Sequence, residues 1–291
     1  MHVDEVRTDA ALVRRLIAGQ FPRWADRPVT PVPSGGTDNA IYRLGDELTV
    51  RLPRIASAVK QVEFEHEWLP VLAKHLPVAV PQPCAVGRPA DGYPWPWAVH
   101  RWVDGEHPTG GNTDPRGFAA DLGELVGGLR RADTAGARTG YRSGPLSGRD
   151  EYLREWTEAA RGMVDTDAVL AIWEDALAAP AWDGPPVWTH GDLLAGNVLV
   201  RGGRLRGVID FGAAGVGDPA CDAMAAWTLL DSDTRDVFRE TAGFDDATWA
   251  RGKGWALTFI SALTYYRETN PTMYALAKRA VGAVLSDRAA R

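Results

Sequence analysis

The residues whose types and order can do chemistry lie in the back half of the chain. They read His190-Gly191-Asp192-Leu193-Leu194-Ala195-Gly196-Asn197, followed by Asp210-Phe211-Gly212. An acid, an amide five positions later and a second acid thirteen positions after the amide is the order phosphoryl transfer requires. Asp192 would orient an attacking hydroxyl and accept its proton. Asn197 and Asp210 would hold Mg²⁺ against nucleotide phosphates, since a hard cation takes carboxylate and amide oxygens.

These residues need a rigid support. Apolar Val198–Val200 and the run 205–210, joined through Arg201-Gly202-Gly203-Arg204, read as a short hairpin that fixes Asn197 and Asp210. Either motif alone is common by chance. Together, with a strand between them, they match the kinase pattern H-R-D-x-x-x-x-N followed by D-F-G, with Gly191 in place of Arg. His190 reads as a brace for the loop carrying Asp192. Asp218 reads as a helix N-cap, and Asp222 as a buried acceptor for the loop backbone.

The front half supplies the expected partners. Ser34-Gly35-Gly36-Thr37-Asp38-Asn39 precedes a β-prone run, and its glycines, hydroxyls and amide suit a phosphate-binding turn. Gly45-Asp46 separates 40–44 from 48–52, which predicts a hairpin. Its second strand offers Arg51 as a phosphate cation, with Lys60 as the other choice. The following helix, from a cap at Ser57 to about Leu76 with a break or kink at Pro70, offers Glu63, Glu65 and Glu67. Glu65 fits best by its spacing to Leu69 and Leu72. A first helix over 8–20, with Thr8 as N-cap, and a strand over 95–103 complete this half.

From about Gly105 the texture is helical: 115–131, 149–162, 166–179, 218–230, 233–242, 246–268 and 272–286. Trp227, Trp255 and Tyr265 lie on these helices and are candidates to line a substrate pocket, as are the acids Asp231 and Glu268. Aromatic residues at helical spacing also build cores.

Composition bounds the class. The chain has 291 residues, 45% hydrophobic and 24% charged, with no apolar run long enough to span a membrane and no signal-peptide core. Cys84 and Cys221 are too few and too far apart for a disulfide framework, which fits a reducing cytoplasm. The net charge is -6. Residues 1–103 carry 12 basic and 11 acidic side chains, and residues 104–291 carry 20 and 27. An acidic second half argues against a nucleic-acid partner and is compatible with a cationic ligand.

The segments SGGTDNAIYRLGD, TVRLPR, VEFEHEWLPVLAKHLPVAVPQP, YPWPWAVHRWVDGE, HGDLLAGNVLV, VIDFG and GDPACD together resemble the aminoglycoside phosphotransferase family, over nearly the whole chain. The resemblance implies an α+β, bilobal, protein-kinase-like fold. A strand-rich N-terminal lobe over 1–103 would hold ATP or GTP, and a helical lobe over 104–291 would carry the catalytic loop and substrate pocket. It implies Asp192 as the acid/base, Asn197 and Asp210 as Mg²⁺ ligands, and Arg51 with Glu65 as the phosphate clamp. It also implies a hinge at His100, Trp102 and Val103 that grips the base through backbone groups. Arg51 departs from the more frequent Lys. The implied activity is transfer of a γ-phosphate to a hydroxyl of a small molecule, an aminoglycoside-like or other antibiotic. A hydroxylated metabolite as acceptor and a non-catalytic nucleotide-binding scaffold are the alternatives. Only six residues separate Gly212 from Pro219, which is too short for the peptide platform of a protein kinase.

Overall fold

The computed structural model describes residues 5–33 and 38–289. The chain is α+β and divides into two compact units. Unit 1 comprises residues 1–74, 79–104 and 207–212; unit 2 comprises 75–78, 105–206 and 213–291.

Unit 1 is built on a five-stranded antiparallel sheet. Helix α1 (Ala10–Gln20) is followed by β1 (Val29–Pro31), β2 (Asn39–Leu44), β3 (Leu48–Pro53), α2 (Val59–Leu72), β4 (Pro83–Gly87) and β5 (Trp97–Arg101), with strand order β1-β2-β3-β5-β4. The β2–β3 hairpin turns at Gly45, whose φ of 60° is the left-handed conformation glycine adopts without penalty. Val13, Leu16 and Ile17 of α1 pack with Leu44, Val50, Leu52, Trp97 and Val99 of the sheet, all of them buried. Gly87 admits the Trp97 ring, because a Cβ there would lie 2.0 Å from the indole.

Two expected caps differ. Asp9, not Thr8, caps α1 by accepting from Leu12 N at 2.7 Å. The Thr8 hydroxyl instead accepts from Tyr42 Oη at 2.9 Å. No side chain caps α2, which follows a 3₁₀ turn at Ala56–Ala58 and runs through Pro70 to Leu72.

Unit 2 is mainly helical. Its elements are α3 (Pro115–Arg130), α4 (Asp150–Ala159), α5 (Thr166–Ala178), β6 (Val187–Thr189), β7 (Val198–Arg201), β8 (Arg204–Val208), β9 (Gly215–Gly217), α6 (Ala220–Ala223), α7 (Ala225–Thr228), α8 (Arg235–Ala242), α9 (Asp246–Leu257), α10 (Ala262–Tyr265) and α11 (Pro271–Ala289). The chain passes back into unit 1 within β8. Helix α3 packs on α8, α5 on α9, and α11 on α7 and α9. The expected helix over 246–268 is interrupted by a 3₁₀ turn at Thr258–Ser261, and the Thr258 hydroxyl donates back to Trp255 O at 2.7 Å. No helix of the described residues is long and apolar enough to cross a membrane.

Candidate active site

The loop carrying Asp192 is held from both ends in unit 2. Strand β6 pairs antiparallel with β9, Thr189 opposite Gly215, and delivers the chain to His190. Asp222, fully buried in α6, accepts the backbone N–H groups of His190 and Gly191, each at 2.8 Å. Burial raises the Asp222 carboxyl above its ordinary value, with His190 and the two N–H groups opposing that rise. His190 is fully buried and its Nδ1 accepts Asp192 N at 3.2 Å, so it braces the loop. Gly191 has φ 73°, and a Cβ there would stand 3.0 Å from Ala213 O. A glycine after the histidine is therefore dictated by the turn.

Asn197 closes the loop from the other side. Its Nδ2 donates to Asp192 O at 2.9 Å and to Asp192 Oδ2 at 2.8 Å. The amide oxygen makes no hydrogen bond among the described residues, which leaves a hard oxygen donor beside the carboxylate. The supporting hairpin is anchored where Arg204 Nε donates to Asp121 Oδ2 at 2.8 Å and Leu205 N donates to the same oxygen at 3.0 Å.

In unit 1 the structure brings Arg51, Glu65 and Asp210 together. Arg51 Nη1 donates to both Glu65 carboxylate oxygens, at 2.7 and 2.8 Å, and Nη2 donates to Asp210 Oδ1 at 3.2 Å. Burial raises the Glu65 carboxyl, while the charge and hydrogen bonds of Arg51 oppose the rise. For Arg51, burial disfavours the charge, but Glu65 and Asp210 outweigh it and the guanidinium is held more firmly protonated. The guanidinium therefore stays charged, because an arginine does not release its proton in a protein. Asp210 has φ 63°, a left-handed conformation rare outside glycine, and its side chain is 46% exposed. Such backbone costs on the order of 1–3 kcal/mol and concentrates at functional sites.

The other expected site residues fall as follows. Ser34, Gly35, Gly36 and Thr37 lie outside the described residues. Asn39 is buried and donates to Gln61 Oε1 at 3.1 Å. At the expected hinge, Trp102 N already donates to Glu47 O at 2.8 Å, so this N–H is not free for a base, whereas Val103 N makes no hydrogen bond among the described residues. His100 is buried on β5 with neither ring nitrogen hydrogen-bonded. Burial, Arg51 and His66 lower its pKa to about 3, so its 4.0 Å approach to Glu65 is no ion pair at neutral pH.

The suggested substrate residues do not form one group. Trp227 is fully buried and donates from its indole N–H to Asp287 at 2.8 Å, so it belongs to the core rather than to a pocket wall. Asp231 is exposed and pairs with Arg279 at 3.0 Å. Glu268 is exposed, and Tyr265 stacks edge-on against Trp156 and Tyr266. Trp255 is 2% exposed. Asp218 caps the start of α6 as expected, its Oδ1 accepting from Ala220 N at 2.9 Å, and it is also half of a buried ion pair, receiving Arg251 Nε at 2.8 Å.

One residue had no signal in the sequence. Arg142, in the segment between α3 and α4, donates from Nη1 to Asp192 Oδ1 at 2.7 Å and to Gly191 O at 2.8 Å. It stands fifty positions before Asp192, and only the tertiary fold brings the two together.

A family model described as "Phosphotransferase enzyme family" matches residues 29–255. An aminoglycoside 3'-phosphotransferase from Escherichia coli is 30% identical over 97 residues, which cover 27% of this chain. The chain matches about a third, 36%, of that relative's length. The fold is shared with wild-type aminoglycoside 2'-phosphotransferase-IIIa, solved as its GDP complex, at TM-score 0.75 and 20% identity over 97% of this chain and 100% of the other. It is also shared with the macrolide 2'-phosphotransferase MphH from Brachybacterium faecium, at TM-score 0.63 and 23% identity over 95% and 97%.

Proposed function

Because the chain belongs to the phosphotransferase enzyme family, we propose that it transfers the γ-phosphoryl group of ATP or GTP to a hydroxyl of a small molecule, in the first instance an antibiotic. The observation that carries this reading is the Asp192–Asn197 pair. The amide holds the carboxylate through Nδ2 and leaves its own oxygen unused. The relatives support the chemistry, since they include aminoglycoside phosphotransferases solved with GDP, ADP or ATP and a macrolide 2'-phosphotransferase.

In this reading Asp192 accepts a hydrogen bond from the acceptor hydroxyl and aims its oxygen at the γ-phosphorus. The new O–P bond forms as the bond from phosphorus to the β,γ-bridging oxygen breaks. The electron pair leaves with the nucleoside diphosphate, and the hydroxyl proton passes to Asp192. Asn197, through its amide oxygen, and Asp210, through its exposed carboxylate, fit Mg²⁺, which supplies charge neutralisation on the phosphates. Arg51, oriented by Glu65, fits a phosphate clamp, and its fork can reach phosphate bidentately where a lysine would be a point charge. The neutral His100 lies close to this clamp and adds no charge of its own. Val103 N is the hinge donor left for a base.

Mg²⁺-dependent release of ADP or GDP in the presence of hydroxylated acceptors tests the reading. Asp192→Asn should lower turnover by about 10²–10⁴-fold while nucleotide binding stays near that of the wild type. Full turnover in that variant contradicts the proposal.

A further inference from the structure

The side chains of unit 2 around Asp192 are donors and rings. Arg142 uses Nη1 for Asp192 and Gly191, while its Nε and Nη2 make no hydrogen bond among the described residues. Its guanidinium lies 5.4 Å from the Tyr141 ring and 5.4 Å from the Phe259 ring. Arg149 lies 5.0 Å from the same Tyr141 ring and 5.9 Å from Trp255. Its one hydrogen bond runs from Nη2 to Tyr141 O at 3.3 Å, and it has no acidic partner among the described residues. Asp150, the next residue, is committed to Arg154 and to the Trp173 indole. Trp255 is buried, yet its indole N–H has no acceptor. Tyr141 is 66% exposed.

The named carboxylates are therefore already engaged, Asp192 by Arg142 and Asp150 by Arg154 and the Trp173 indole, which leaves the remaining donors of two guanidinium groups without an acid among the described residues. The overall acidity of residues 104–291 does not describe this spot: Asp231 is paired with Arg279, and Asp218 with Arg251. Ammonium groups brought here would face like charge. A carboxylate would meet planar, bidentate donors, and a flat ring would find a tyrosine face. A cavity of about 240 Å³ in unit 2, lined in part by Leu146, Trp182, Asp218 and Arg251, offers no such donors, since its charged pair is satisfied internally.

Building on the phosphotransferase reading, we propose that the acceptor is a hydroxylated compound carrying an anionic group beside a planar ring. Arg142 and Arg149 read the anion and Tyr141 receives the ring, so that polycationic amino sugars are disfavoured.

Binding of 4-nitrophenyl β-D-glucuronide, 4-nitrophenyl β-D-glucoside and kanamycin to the full chain with Mg²⁺ and ADP tests this. The first two differ only in the carboxylate, and the third is polycationic. The glucuronide should bind at least about tenfold more tightly than the glucoside, with kanamycin weakest. Raising salt to about 0.5 M should shrink the advantage. Arg149→Ala should erase it, Arg149→Glu should reverse it, and Arg149→Lys should keep part of it. Nucleotide binding measured on the same samples reads the phosphotransferase proposal separately, and its absence would undo that proposal. Nucleotide binding together with equal affinity for the three probes, preference for kanamycin, or no binding of any probe overturns the anionic acceptor.

Discussion

Replacing His100 with leucine should flatten the acid limb of the stability curve. His100 is 1% exposed, and neither ring nitrogen has a hydrogen-bond partner. The titratable groups that face it are Glu65, Arg51 and His66. Burial first, and then Arg51 and His66, lower its pKa from 6.5 to about 3. The sign follows from proton counting. Above about pH 6.5 both folded and unfolded chains carry a neutral imidazole, and the group has no pH-dependent effect. As pH falls, the unfolded chain takes up a proton that the folded chain refuses, so folding weakens until about pH 3. Each unit of that interval is worth about 1.36 kcal/mol. The loss attributable to His100 is then about 2 kcal/mol at pH 5 and about 5 kcal/mol at pH 3, against a total stability on the order of 5–15 kcal/mol.

Urea unfolding of the wild type and His100→Leu at about pH 7.5 and about pH 5 reads the difference, and the carboxylates common to both proteins cancel in the comparison. The wild type should lose about 2 kcal/mol more than the variant over this interval. At the higher pH the variant should be as stable as the wild type or more so, because two unpartnered buried nitrogens are removed. Parallel losses in the two proteins would refute the reasoning.

Asp222→Ala strands the N–H groups of His190 and Gly191 inside the protein. At about 1–3 kcal/mol for each orphaned donor, the melting temperature should fall and turnover should fall with it; an unchanged melting curve contradicts this support role. Glu65→Ala leaves the buried Arg51 with Asp210 as its remaining partner, and denaturant titration should show a loss of about 3–5 kcal/mol. Glu65→Gln keeps a hydrogen-bond acceptor and should cost less. Gly191→Ala forces an alanine to φ 73° with its Cβ 3.0 Å from Ala213 O. It should depress turnover more than it depresses melting temperature, because the strain falls on the loop that carries Asp192.

Much of this was legible where local rules govern. Gly45 announces the β2–β3 hairpin, and the 190–197 spacing puts Asp192 and Asn197 on one turn whose hydrogen bonds the structure displays. Asp222 as a buried acceptor for the loop followed from its position after Asp218-Pro219. What escaped is non-local. Strand β6 finds its partner β9 only after the intervening β7–β8 hairpin. Strand β4 begins at Pro83 with an irregular register, inside a proline-rich stretch that reads as merely extended. Helical periodicity over 246–268 hides the 3₁₀ interruption at Thr258. Trp227 and Trp255 look alike on a helical pattern, yet one indole is hydrogen-bonded to Asp287 in the core and the other is orphaned beside Arg149. The Arg142–Asp192 pair depends on a contact across fifty residues that no spacing rule encodes.

The central claim is that Asp192 directs a small-molecule hydroxyl onto a nucleotide phosphate. Its most direct test is Mg²⁺-dependent ADP or GDP release with a panel of hydroxylated acceptors, run beside Asp192→Asn. Acceptor-stimulated release is expected in the wild type, lost by about 10²–10⁴-fold in the variant with nucleotide binding retained. Stimulated release that survives in Asp192→Asn, or nucleotide binding that no acceptor converts to turnover, would contradict it.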